Sequence, residues 1–181
     1  MSPLNYIENK LELHPTRTYG AIIGLHPSKG ARSPILWRKV FTTLKIESDF
    51  HAFDVTKKSL PKLVEALKKD TRFIGGAVAV PHKESLLALI DIIDRDAELI
   101  GAVNALRRTP EGKIAGANTD GLAAIQALAR VAGKLEGRSV ALLGLGGAGK
   151  AVATNVALAG AKLSIWNRTV SKAVEFAKNY E

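Results

Sequence analysis

The sequence predicts an α/β protein in two parts, and three features carry that prediction. From Tyr19 to Pro81, short apolar runs ending in glycine or proline alternate with stretches whose apolar residues recur at helical spacing. At Ser139–Lys150 (SVALLGLGGAGK) an apolar run breaks into a loop with four glycines and then a helical pattern. Beyond it, a further strand and helix follow at the spacing of a right-handed parallel crossover.

Taken in order, Tyr19 to Gly24 is a short strand, and His26 to Pro34 a loop. Ser33-Pro34 marks the start of a helix running from Ile35 to about Leu44, with the serine as cap and proline in the first turn. Ser48 to Val55 reads as a second strand. Ser59 to Lys69, with Leu60, Leu63, Val64 and Leu67 at helical spacing, is a second helix. Phe73 to Val80 is a third strand closed by Pro81, so the first part is β-α-β-α-β. Pro81 to Glu84 opens another helix with Leu86, Leu87, Leu89 and Ile90 on its apolar face, and Asp91 to Glu98 is a polar link. Gly101 to Arg108 and Lys113 to Ala117 form a hairpin around the turn Thr109-Pro110-Glu111-Gly112. A helix with Leu122, Ile125, Leu128 and Ala129 on one face then runs to about Ala132, and Gly133 to Gly137 is a loop. The last elements are the strand from Val140, a helix from Ala148 to Ala159, a strand from Lys162 to Trp166 and a helix from Ser171 to Tyr180.

Composition narrows the function classes. With 181 residues the chain suffices for one large domain or two small ones. No apolar run approaches the ~20 residues of a membrane span. Met1 to Leu13 carries acidic residues and no secretory apolar stretch, so a cytoplasmic protein is expected. There is no cysteine, and His14, His26, His51 and His82 lie far apart, so no metal site is expected. The net charge of +9 is spread along the chain in pairs such as Lys57-Lys58, Lys68-Lys69 and Arg107-Arg108, without interleaved aromatics. That pattern fits solvated faces and a field favouring anionic substrates, and nucleic acid is not an expected partner.

The glycine loop bares backbone N–H groups for a phosphate. Gly144-x-Gly146-x-x-Gly149 fits a dinucleotide loop, whose candidate contacts are Gly144, Gly146, Gly147, Ala148 and Gly149. The same letters through Lys150 also fit a nucleoside triphosphatase loop, but that loop needs Ser or Thr next to hold magnesium, and Ala151 stands there. An NAD site would place Asp or Glu roughly 20 residues past the loop. Asn167-Arg168-Thr169 stands there instead. A guanidinium holds a 2′-phosphate bidentately, and the neighbouring amide and hydroxyl can donate to it, so the expected cofactor is NADP. Capping of the next helix by Thr169 or Ser171 is a compatible second reading.

Lys83 follows a strand and a proline, where its side chain would face the mouth of the sheet. Asn104 and Asp120 sit beside strands that can converge with it at the same end. A lysine beside a carboxylate stays charged and can give a proton to an oxygen as a hydride arrives at its carbon.

Ser33-Pro34, VPHKE at Val80–Glu84, IGAVNA at Ile100–Ala105, GANTDG at Gly116–Gly121, GLGGAGKA at Gly144–Ala151 and NRT at Asn167–Thr169 occur in the order seen in shikimate dehydrogenases, which the chain resembles from about Tyr19 onward. The resemblance implies an N-terminal α/β substrate-binding domain, expected over residues 1–121. It is followed at 122–181 by a linker helix and the first part of a Rossmann NADP-binding domain, with a cleft between them. It implies reversible NADP-dependent reduction of 3-dehydroshikimate to shikimate, on the chorismate route of aromatic amino-acid biosynthesis. By the same resemblance Lys83 and Asp120 are the catalytic pair, and Asn104 and Ser33 bind substrate alongside them.

The chain departs from the family at Ala31, Ala77, Ala79 and Ala105, where a serine, an asparagine and two threonines are usual, and at Trp37-Arg38, where His-Asn is usual. Each lost neutral hydrogen bond is worth ~0.5–1.5 kcal/mol. The losses keep two alternatives open: a divergent paralogue acting on quinate or another hydroxy acid, and a non-catalytic nucleotide-binding relative. Family members usually continue with further Rossmann strands. An uncovered sheet edge would leave room for a homo-oligomer.

Overall fold

The structure is a computed structural model that describes residues 2–178. Its contacts divide the chain into two compact units. One comprises the residues up to Asp94 with Val103–Ala117, and the other comprises Arg95–Ala102 with the chain from Asn118 onward.

The first unit is built on a six-stranded sheet of β1 (Thr18–Gly24), β2 (Ser48–Asp54), β3 (Phe73–Val78), β4 (Ile92–Ile93), β5 (Ala105–Arg108) and β6 (Ile114–Ala117), in the order β2-β1-β3-β5-β6-β4. β1 runs parallel to β2 and to β3, and α1 (Ser33–Leu44) and α2 (Leu60–Lys69) make the crossovers. β5 is antiparallel to both β3 and β6, and β4 is parallel to β6. The reversal at β5 matters for the site. β3 ends, β5 begins and β6 ends at the same end of the sheet, where Val78 N donates to Asn104 O (2.8 Å) and Asn104 N to Ala117 O (3.0 Å).

Local chemistry accounts for these elements. β1 is buried along its length after Thr18, as a strand covered on both faces should be. α2 buries Leu60, Leu63, Val64, Ala66 and Leu67 on one side. Its C-terminal carbonyls are collected by Arg108, whose guanidinium donates to Leu67 O, Lys68 O, Asp70 O and also Phe73 O. The outer edge of β2 is occupied by the N-terminal segment. Glu8 N donates to Asp54 O, and the Asn9 amide pairs with Ala52 O (2.9 Å) and Asp54 N (2.8 Å) as a strand backbone would.

Several expectations are corrected here. Ser33 is the first residue of α1 and not its cap; Arg32 holds that position, and no side chain caps the helix. The helix expected after Pro81 is only a 3-10 turn, Ser85–Ala88. The chain has no length to extend it, because Asp91 N is already drawn to Ile114 O (3.0 Å) at the sheet. The stretch expected as a polar link contains β4 and a short helix, α3 (Arg95–Ile100), and the strand expected from Gly101 begins at Ala105.

The second unit contains α3, α4 (Asp120–Ala132), β7 (Ser139–Leu143), α5 (Gly147–Leu158), β8 (Lys162–Trp166) and α6 (Val170–Ala177). β7 and β8 are parallel, with Leu143 opposite Trp166. Leu142, Leu163 and Ile165 pack on Leu145, Ala153 and Phe176. α4 lies against α5 at Gly121, where a Cβ would run into Ala151 O and the Asn155 side chain. The apolar face expected on α4 is its packing face only in part: Ile125 and Leu128 are half-buried on the side of the buried Gly121, whereas Ala129 is exposed and Leu122 is 58% exposed. The last helix was expected to reach Tyr180; Asn179 and Tyr180 lie outside the described residues. Among the described residues no helix is long and apolar enough to cross a membrane.

Candidate functional site

Two loops at one end of the first unit's sheet carry Ser33 and Lys83. The loop after β1 is a 3-10 turn, Pro27–Lys29, tightened by bonds from Gly30 N and Ala31 N to Pro27 O (3.3 and 2.9 Å). Two residues later Ser33, half-buried, opens α1. The turn is anchored from β2: the buried Asp54 carboxylate accepts from Ser28 N (2.9 Å) and Ser28 Oγ (2.5 Å).

The loop after β3 begins at the cis Val80–Pro81 peptide. His82 is fully buried, with Nε2 2.7 Å from Val55 O. A carbonyl only accepts, so Nε2 carries the proton and Nδ1 is left as an acceptor, with no hydrogen-bond partner among the described residues. Burial pushes the His82 pKa below the ordinary imidazole range; the bond to Val55 O opposes this, and Lys57 adds to it. Lys83 is half-buried, and its carbonyl accepts from Val103 N (2.8 Å) beside the half-buried Asn104. The structure thus laces the backbones of Lys83 and Asn104 to one end of the sheet.

Three of the four alanines at usually polar positions share one environment. Ala31, Ala77 and Ala79 pack on the buried cluster of Ile22, Phe41 and Phe50. Trp37 stacks on Phe50 with ring centroids 5.7 Å apart and planes 10° off parallel. Ala105 pairs with Ala77 across β5 and β3. The lost polar groups are therefore replaced by a continuous apolar surface.

Asp120 belongs to the second unit, as the first residue of α4. Its N–H donates to Asn118 Oδ1 (3.0 Å), while Asn118 Nδ2 donates to Ala102 O (2.8 Å). The buried Asn118 thereby fixes where α4 begins, a role the motif alone did not reveal.

The glycine loop and the end of β8 form the other group. Gly144 has φ +96°, and Gly144 N donates to Trp166 O (2.7 Å). A Cβ on Gly149 would meet the Gly144 carbonyl, whereas the space around Gly146 is open. Gly146 is the N-cap of α5 with no side chain on its amides, and the first turn has no acidic residue. Asn167 joins the two loops, accepting from Leu145 N (3.0 Å) and donating to Thr169 O (2.8 Å). Thr169 is the N-cap of α6, yet its side chain makes no capping bond, which removes the plain cap reading for that hydroxyl. Arg168 and Thr169 are exposed. An open, uncapped helix start next to an exposed guanidinium has the donor set a dinucleotide 2′-phosphate would need, so the residues fit NADP.

Residues 22–106 match the family described as shikimate dehydrogenase substrate binding domain. The shikimate dehydrogenase (NADP+) of Methanocaldococcus jannaschii is 37% identical over 159 residues, 87% of this chain and 55% of that protein, so the chain spans about half its relative's length. Among solved structures, the Aquifex aeolicus shikimate dehydrogenase superposes with TM-score 0.84 at 30% identity, covering 93% of this chain and 62% of that one. The Thermus thermophilus enzyme, solved with NADP(H) and shikimate, superposes with TM-score 0.78 at 32% identity over 90% of this chain and 60% of that one. Sequence and backbone agree across both units, and the chain belongs to the shikimate dehydrogenase family.

Proposed function

We propose that the chain is the substrate-binding part and the first cofactor-binding segment of an NADP-dependent oxidoreductase that reduces 3-dehydroshikimate to shikimate, reversibly, in the cytoplasm. The observation that supports this best is the convergence at one sheet end of the segments bearing Ser33, Lys83 and Asn104. On this reading residues 1–121 bind substrate, and 122–181 are a linker helix and the start of the cofactor domain.

In the reaction so proposed, NADPH when bound supplies the hydride to the substrate's carbonyl carbon. The Lys83 ammonium gives its proton to the carbonyl oxygen in the same step, and in the reverse direction takes it from the hydroxyl. Asp120 accepts from the same hydroxyl region of the substrate. Asn104 and Ser33 orient the ring and its carboxylate through hydrogen bonds. Gly144, Gly146, Gly147, Ala148 and Gly149 offer backbone amides to the pyrophosphate, and Arg168 with Thr169 and Asn167 flanks the 2′-phosphate.

A second reading is favoured by the apolar cluster that Ala31, Ala77 and Ala79 join: a substrate cradle with other donors than the family's usual ones fits a divergent paralogue acting on quinate or another hydroxy acid. Steady-state assays with 3-dehydroshikimate and NADPH, and with shikimate or quinate and NADP+, separate the two. Turnover of 3-dehydroshikimate is the expected result. Quinate oxidation alone moves the substrate, and NADP binding without turnover of any of them replaces the enzyme with a nucleotide-binding relative.

A further inference from the structure

Among the described residues the buried acidic side chain is that of Asp54, and the proposed chemistry does not use it. It is 5% exposed, forms no salt bridge among the described residues, and spends both oxygens on one residue, Ser28. A buried carboxylate that binds a single serine through its amide and hydroxyl is an arrangement for fixing a loop, since charge-assisted bonds to a carboxylate are the strong ones. Four residues separate Ser28 from Ser33, and they have little freedom: Gly30 N and Ala31 N are bound to Pro27 O, and Leu36 N to Arg32 O (3.0 Å). The anchor itself is rigid. Asp54 pairs with Gly24 across β1 and β2, its N–H donates to Asn9 Oδ1, its carbonyl accepts from Glu8 N, and the next residue, Val55, donates to Gly24 O (2.7 Å).

We propose that Asp54 is a positioning residue for substrate binding: through Ser28 it sets the loop that presents Ser33 to the substrate carboxylate. This rests on the proposed function only for the role of Ser33; the tether between Asp54 and the loop stands without it. Asp54 does not touch substrate, so its loss affects how well the carboxylate is held, which is a KM effect, while proton and hydride transfer at Lys83 are left in place. Asp54→Asn keeps an acceptor for Ser28 N and an amide that can donate to Ser28 Oγ, so it retains most of the tether.

The test uses the full chain with two readouts. Amide hydrogen exchange over residues 26–33 is compared in wild type, Asp54→Ala, Asp54→Asn and Ser28→Ala. In the same proteins KM and kcat are measured for 3-dehydroshikimate, with NADPH affinity as control. The expected result is faster exchange in that loop for Asp54→Ala and Ser28→Ala, with KM up about tenfold or more, kcat within about threefold, and NADPH affinity unchanged. Asp54→Asn should recover most of both effects, and the double variant should be no worse than either alanine variant. Unchanged exchange over 26–33 in Asp54→Ala overturns the tether. Faster exchange with unchanged KM overturns its role in binding, and a fall in kcat with unchanged KM points to general destabilisation and overturns it too. A wild type that turns over none of the substrates fails the oxidoreductase reading and with it the binding role, while exchange still decides the tether.

Discussion

The loops that end β1 and β3 and the loop that ends β7 occupy the same kind of position, the carboxyl end of a parallel strand, yet they are built differently. The first two are tied down by buried polar side chains at the end of β2: Asp54, its last residue, to Ser28, and His82 to the carbonyl of Val55, the residue after it. The glycine loop is shaped by the absence of side chains, with the Gly144 carbonyl against Gly149 and with Asn167 as its main side-chain tie. A loop that must aim a lysine and a serine needs its side chains oriented, whereas a loop that must let a pyrophosphate reach bare amides needs them gone. The two should therefore fail under opposite substitutions, deletion of side chains in one and addition of them in the other.

The largest effect on cofactor binding is expected from Gly149→Val. Its side chain would enter the Gly144 carbonyl, a clash of the kind that costs ~3 kcal/mol, and NADPH Kd should rise about 100-fold in a titration, with the thermal midpoint lowered. Gly146→Ala, in open space, should leave the thermal midpoint unchanged and raise Kd about tenfold. Equal Kd effects for the two, with unchanged stability in both, would break the contrast. Arg168→Ala should remove the preference for NADPH over NADH by about 10- to 100-fold, the worth of a charge-assisted phosphate contact. Retained preference would move the phosphate elsewhere.

The smallest effect tests the other side of the comparison by pH. His82 is held neutral in the folded chain below the ordinary imidazole pKa, chiefly by burial. As pH falls below ~6.5 the unfolded chain takes up a proton there first, so stability is present above ~6.5 and is lost toward the lower folded pKa. His51, also lowered chiefly by burial, with Asp49 opposing and Arg38 adding, contributes in the same direction. Denaturant midpoints should fall between pH 7.5 and 5, and His82→Phe should flatten that slope while lowering the midpoint at pH 7.5, because Val55 O loses its donor. An unchanged slope would show that His82 is not held neutral.

Much of this architecture was legible in the sequence, for reasons the contrast explains. The glycine loop is a local device, so its spacing alone located the strand, the turn and the helix. α2 was equally readable, because its buried residues repeat at helical spacing. What could not be read were ties between distant residues: Asp54 and Ser28 are 26 residues apart, and Asn118 and Ala102 are 16 apart. Ser33-Pro34 looked like a cap and its helix because the local motif does, but the chain starts the helix one residue earlier and leaves the cap to Arg32. The apolar run Leu86–Ile90 suggested a full helix, and the pull of Asp91 to the sheet overrode it. Ala31, Ala77 and Ala79 could be noted singly in the sequence; that they join one apolar cluster is a fact of three dimensions.

Lys83 is proposed to handle the proton, and the glycine loop to hold the cofactor independently of it. The most direct measurement compares wild type and Lys83→Ala for 3-dehydroshikimate reduction, with NADPH affinity determined on the same samples. The predicted result is a fall in kcat of about 10²- to 10⁴-fold, the range of a lost general acid, with NADPH Kd unchanged. A Lys83→Ala protein that keeps its rate, or loses rate and NADPH affinity together, would contradict it.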